Sequence, residues 1–281
     1  MGMLLGTRRG LLGGRGGSVL AYDAFADSIV HAYELARRVL SSYTGSLCRL
    51  RRDSDNAESD FTYDADNNLD TAAITAWAGG ANINIVTVYG QATIGDDITQ
   101  ATAGEQPSYN ATAQNGHPGA TLGSTYNLWG AFAAGAMSQP FTVFSIAELD
   151  AANVNDGTFY RITDTTGAIT PQINLGKNST PDPDEWAIFA GTLLNGGAAD
   201  ADCHIWTVVF NGASSQFWHD GASKASGNAG ANAPGGWAWA RTGGSVRWLG
   251  NILSSIVCTG ALSAGDRAGM ETAMNAYWST F

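Results

Sequence analysis

Apolar side chains recur at Phe25, Ile29, Ala32, Ala36 and Val39 in AYDAFADSIVHAYELARRVL, with Tyr22, Tyr33 and Leu40 beside them. That spacing predicts an amphipathic leading helix over residues 21–40. Arg37 and Arg38 in its last turn suit the helix dipole. The period changes after Gly45. In SLCRLRR, Leu47, Arg49 and Arg51 alternate with Cys48, Leu50 and Arg52, which predicts a strand. DSDNAES has the Asp, Ser and Asn content of a turn, and ESDFTYD reads as the returning strand. NNLDTAAITAW then predicts a short helix near residues 69–77. Leu69, Ala73, Ile74 and Trp77 share one face of it, and Asn68 or Asp70 can cap it.

Downstream the chain reads as strands punctuated by Gly, Asn and Asp. Residues 82–90, 141–149, 157–164, 168–175 and 185–191 are each expected to be extended. Residues 204–223 predict a hairpin turning at Asn211-Gly212. Residues 246–260 read as a last strand pair. A closing helix over 262–278 follows, capped by Ser263 and lined by Leu262, Met270, Met274 and Trp278. Such spacing is the signature of an all-β sandwich. The expected organisation is a flexible basic, Gly-rich arm at 1–20 and a single sandwich domain at 21–281 with a few peripheral helices.

Composition agrees with that class. Of 281 residues, 44% are hydrophobic, only 14% are charged and 36 are Gly, which suits a loop-rich β protein with a substantial core. The net charge of −11 is split unevenly: residues 1–52 carry +5 and residues 53–281 carry −16. An acidic body argues against a nucleic-acid partner. No apolar run approaches the ~20 residues of a membrane span, and MLL and LL near the start are too short for a signal peptide. Cys48, Cys203 and Cys258 are odd in number and widely spaced, so reduced thiols made in a cytoplasm are expected. His31, His117, His204 and His219 show no metal-ligand spacing, and neither metal nor cofactor is expected. In the arm, Leu4, Leu5, Leu11 and Leu12 with Arg8, Arg9 and Arg15 read as a segment that packs against a partner.

Residues 41–73 carry a resemblance. Ser41, Ser42, Tyr43, Thr44, Gly45, Arg49, Arg51, Arg52, Ser54, Asp55, Asn56, Ala57, Glu58, Asp60 and Phe61 stand at the spacing of SxYTGxxxRVRRSSDNAExDIGF. Leu69-Asp70-Thr71-Ala72-Ala73 matches a following LDTAALLAF-type helix. This string resembles the opening of the fungal α-L-arabinofuranosidase B catalytic domain and of related phage proteins. The resemblance implies a two-sheet antiparallel β-sandwich, a concanavalin A-like jelly roll. The family's WYDQSGNGRDATQ-like loop is here VYGQATIGDDITQ, which keeps Tyr89, Gln91 and Thr99-Gln100 but not the Asp-Gln and Gly-Asn-Gly parts.

A glycosidase needs two carboxylates at a set separation. Asp96, Asp97, Glu148, Asp150, Asp164, Asp182, Asp184 and Glu185 are available, but spacing selects no pair, so no catalytic residue is assigned. Sugars stack on exposed rings beside polar groups. Trp237, Trp239 and Arg241 in GGWAWARTGG, with Trp218, are the candidate carbohydrate-binding residues, and Trp129 is a further option. The function expected is a bacteriophage virion structural protein, made in the host cytoplasm. It would dock to capsid or tail proteins through the arm and leading helix, form a homo-oligomer and contact a host-surface glycan. The alternatives are an arabinofuranosidase-like glycoside hydrolase and a free carbohydrate-binding module; the rewritten loop weighs against an enzyme.

Overall fold

The computed structural model describes residues 20–92, 95–155, 160–164, 173–178, 184–241 and 248–281. Its strands, in order, are β1 (Ile29–Glu34), β2 (Cys48–Arg52), β3 (Glu58–Phe61), β4 (Ile83–Val88), β5 (Ile98–Thr99) and β6 (Ser108–Gln114). There follow β7 (His117–Leu122), β8 (Leu128–Ala131), β9 (Phe141–Leu149), β10 (Tyr160–Asp164), β11 (Asn174–Asn178) and β12 (Glu185–Phe189). The last are β13 (Leu193–Ala198), β14 (His204–Phe210), β15 (Ser215–His219), β16 (Ala222–Gly227), β17 (Gly236–Arg241) and β18 (Gly250–Thr259). Helix α1 (Thr71–Ala78) lies between β3 and β4, and α2 (Ala264–Trp278) closes the chain.

Strand β18 organises the molecule. It pairs antiparallel with β1, β7 and β9, and β9 continues through β14 to β15 and β16. On the other side β7 leads through β6 and β4 to β2 and β3. From β4 a second route runs through β5 and β8 to β17. Strand β17 pairs parallel with β10, which continues antiparallel to β11, β12 and β13. Among the described residues these ladders link all the strands into one network. The fold is therefore mainly β, but the pairing does not divide into the two separate sheets that were expected.

The leading helix expected at 21–40 is not there. Only a 3-10 turn forms at Asp23–Phe25, and residues 29–34 are strand β1. The reason is burial on both faces. Tyr33 and Leu35 enter the large core, whereas Ile29, Ala32, Ala36 and Val39 enter a second one. A strand covered on both sides is apolar nearly throughout, and periodicity cannot separate that from a helix. The strand pair expected at 246–260 is likewise a single ten-residue strand, β18.

The hairpin and both shorter helices form as read. Strands β2 and β3 pair, with Arg49 opposite Asp60. Asp70 Oδ1 caps α1 by accepting from Ala73 N at 2.9 Å. Ser263 Oγ caps α2 by accepting from Asp266 N at 3.1 Å. Met270, Met274 and Trp278 seat α2 on the second core, beside Phe144, Ile146, Ile205 and Ile256 of the sheet. One charged pair is built into this layer: Glu34 is fully buried and accepts from Arg37 Nε at 2.6 Å and Ser254 Oγ at 2.9 Å. The arm residues Leu4, Leu5, Arg8, Arg9, Leu11, Leu12 and Arg15 lie outside the described residues.

Candidate functional site

Side chains directly opposite in neighbouring strands share a face of the sheet. Asp60 faces Arg49, Arg49 faces Thr87, Thr87 faces Thr99 and Thr99 faces Trp129. Five strands thus put one row of polar groups on a single face, ending in an indole. Trp129 is 36% exposed, one of the few large apolar side chains that are.

Arg49 grips Asp60 with two parallel bonds, Nε to Oδ1 and Nη2 to Oδ2, each 2.8 Å. Tyr89 donates its hydroxyl to Asp60 Oδ1 at 2.7 Å. The Arg49 guanidinium, helped by that hydroxyl, holds the Asp60 carboxyl below the usual carboxylate range. Tyr89 itself is pushed up to about 12 by desolvation and by its bond to Asp60, and it also senses Asp97.

Asp97 behaves in the opposite way. Its Oδ1 accepts from Gly90 N at 2.9 Å, yet burial and the neighbouring Asp96 raise it above the usual range. Tyr43, pushed up to about 12 by burial and then by Asp97, stands nearby. Asp96 accepts from Ala133 N and lies 3.7 Å from His31 Nδ1. His31 stacks on Phe132 with centroids 3.8 Å apart, and desolvation lowers it to about 4. One carboxyl held low and another held high, both felt by one tyrosine, are the separated environments that acid–base chemistry uses.

The expected carbohydrate platform is placed differently. Trp237 and Trp239 are fully buried, and Trp239 donates Nε1 to Ser255 Oγ at 3.0 Å, so neither ring offers a face to solvent. They alternate in sequence but β17 is covered on both sides. Trp218 is partly buried beneath the Arg267 guanidinium at 4.0 Å. Arg241 ends β17, with its side chain outside the described set. Of the carboxylate candidates, Asp182 and the Asp164 side chain also fall outside it. Asp184 is tied to buried Lys177 at 2.6 Å and Glu148 to Asn251 at 2.8 Å. Asp96 and Asp97 are brought together with Asp60 and Tyr89, which the sequence offered only as parts of a motif and a loop. The missing signal was register, since Asp60 and Tyr89 become neighbours only once β2, β3 and β4 are aligned. Among the described residues no group of His, Cys, Asp or Glu is placed to hold a metal ion.

The family model described as alpha-L-arabinofuranosidase B, catalytic, matches residues 21–172, more than half of the chain. No curated protein sequence matches. A crystal structure of an arabinofuranosidase complexed with arabinofuranosyl-alpha-1,2-xylobiose superposes with a TM-score of 0.72 at 16% identity, covering 92% of this chain and 64% of that one. A GH54 α-L-arabinofuranosidase soaked with a cyclic sulfate inhibitor gives 0.70 at 16% identity over the same shares. The chain thus spans 64% of the length of these enzymes, and at such identity the likeness speaks for the fold. These matches overturn the virion reading, its virion location and the weighting against an enzyme: the family model and the superposed structures are those of arabinofuranosidases. The rewritten loop that favoured the virion reading is a local departure inside a matched region. The chain belongs to the α-L-arabinofuranosidase B catalytic family.

Proposed function

We propose that the chain is a glycoside hydrolase domain that cleaves α-L-arabinofuranosyl linkages, with Asp97, Asp60 and Trp129 at its sugar site. The observation that carries this is the family match over residues 21–172, which contains all three. Asp97, whose carboxyl is shifted toward its protonated form by burial and by Asp96, gives its proton to the leaving oxygen as the glycosidic C–O bond breaks. Asp60, kept ionised by Arg49, faces the positive charge that develops on the sugar. Water completes the hydrolysis, and the carboxyl separation in the complex decides whether it attacks sugar or glycosyl-enzyme. Trp129 offers the apolar face on which a furanose ring stacks. We infer the lectin-like grouping of the fold on the same footing, from a large core enclosed between strand layers.

The test is release of 4-nitrophenol from 4-nitrophenyl α-L-arabinofuranoside by the purified chain. Release above the uncatalysed background is expected, and its absence would overturn the proposal. Asp97→Asn should lower kcat about 10²–10⁴-fold. The parent rate should fall as pH rises through the Asp97 pKa, because the acid must be protonated, and that alkaline limb should vanish in Asp97→Asn. Release unchanged in both Asp97→Asn and Asp60→Asn would keep the activity but move its carboxylates elsewhere.

A further inference from the structure

A cavity of about 400 Å³ opens beside β4 and β6, where Asn84 faces Ser108, three residues along β4 from the Thr87 that leads to Trp129. It is lined by Asp53, Asn82, Asn84, Ser108, Tyr109 and Tyr126, with Ala81 and Ile83. Its volume is within the range of small-ligand sites. Two of its polar groups are already fixed: Asp53 Oδ1 takes Arg51 Nη1 at 2.9 Å and Asn84 Nδ2 at 2.5 Å. Tyr126 is braced from behind by Gly123, where even a Cβ would come within 3.3 Å of the ring. Amide, hydroxyl and carboxylate groups next to phenol rings are the chemistry that recognises a neutral sugar. The Asp53 carboxylate on the wall disfavours an anionic one.

The cavity also sits on a lane. Arg51 faces Asn84, Asn84 faces Ser108, Ser108 faces Thr121, Thr121 faces Asn251 and Asn251 faces Glu148. At the usual strand spacing of about 4.8 Å this polar row runs for roughly 24 Å. Its far end is wired together, with Thr121 Oγ1 donating to Asn251 Oδ1 at 2.6 Å and Asn251 Nδ2 to Glu148 Oε2 at 2.8 Å. An extended ligand leaving the cavity therefore meets fixed polar groups along its length.

We propose that this cavity is a further subsite, beside the row that ends at Trp129, for a neutral oligosaccharide chain, which holds a polymeric substrate against the sheet. The inference borrows only its class of glycan from the proposed function. Its test is calorimetric titration of the full chain with xylohexaose and with linear arabinohexaose, using polygalacturonate as the anionic comparison. Saturable binding of a neutral hexasaccharide is expected, weakened about tenfold or more by Tyr126→Ala and by Asn84→Ala. Turnover of the nitrophenyl substrate, too short to reach the lane, should be unchanged in these variants. If Tyr126→Ala fails to fold, Ser108→Ala gives the same readout. No binding by the parent, unweakened binding by the variants, or preference for polygalacturonate would overturn the subsite. Loss of nitrophenyl hydrolysis in the parent would sink the hydrolase reading alone, because the titration does not depend on turnover.

Discussion

His31 shows how one buried group ties stability to pH. It is enclosed by Phe132 and Tyr33, with Asp96 as the facing charge. Desolvation outweighs that carboxylate and leaves it at about 4, against roughly 6.5 in an unfolded chain. Between these values the unfolded state binds the extra proton, so the stability rises with pH. The contribution, about 3 kcal/mol, is complete above pH ~6.5 and is lost as pH falls toward ~4. His31→Phe keeps an aromatic ring against Phe132 and should flatten this acid-side slope in urea unfolding midpoints. His219 is also shifted down by burial, so some slope should remain. An unchanged slope in the variant would show that His31 titrates normally.

At the scale of elements, contacts between strands set limits that local propensity does not. Gly196 in β13 lies against the buried ring of Phe217 in β15, where an added Cβ would fall 1.9 Å from Cζ. The ring is part of the main core and has little room to withdraw. Gly196→Ala should therefore cost about 1–3 kcal/mol by overpacking, read as a lower denaturation midpoint at constant slope. An unshifted midpoint would mean that β13 and β15 are less closely packed than described. Helix α2 is fixed from both sides by its Ser263 cap and its Met270, Met274 and Trp278 stripe. Both features were legible in the sequence, because cap and stripe are local.

For the whole molecule, the first and last described strands meet in one ladder. Strand β1 pairs with β18 from Ile29 opposite Cys258 to Glu34 opposite Ser254. It also separates the two cores, since Tyr33 belongs to one and Ala32 to the other. We propose residues 21–281 as the folding unit. A chain starting at Leu20 should keep a single cooperative thermal transition. A chain starting at Leu35 should lose it, because Tyr22, Ile29 and Ala32 leave the second core and β18 loses a neighbour. Calorimetry of the two truncations checks this, and equal transitions in both would place the folding boundary further along the chain.

The sequence by itself determined the class of the fold and the elements closed by near neighbours. The β2–β3 hairpin, the Asp70 and Ser263 caps and the β14–β15 hairpin follow from alternation, turn residues and capping side chains within a few positions. Tertiary structure alone decided residues 29–34, where cover on both faces turned a helix-like stripe into a strand. It also decided that Trp237 and Trp239 are core and that Trp129 is surface, because a tryptophan's exposure depends on what packs over its strand. The candidate site was hidden for the same reason. Asp60, Arg49, Thr87, Thr99 and Trp129 are spread over some eighty residues, and only pairing across five strands puts them in one row. Local spacing encodes which face a side chain takes on its own strand. Which strands become neighbours depends on burying the whole chain's apolar surface at once.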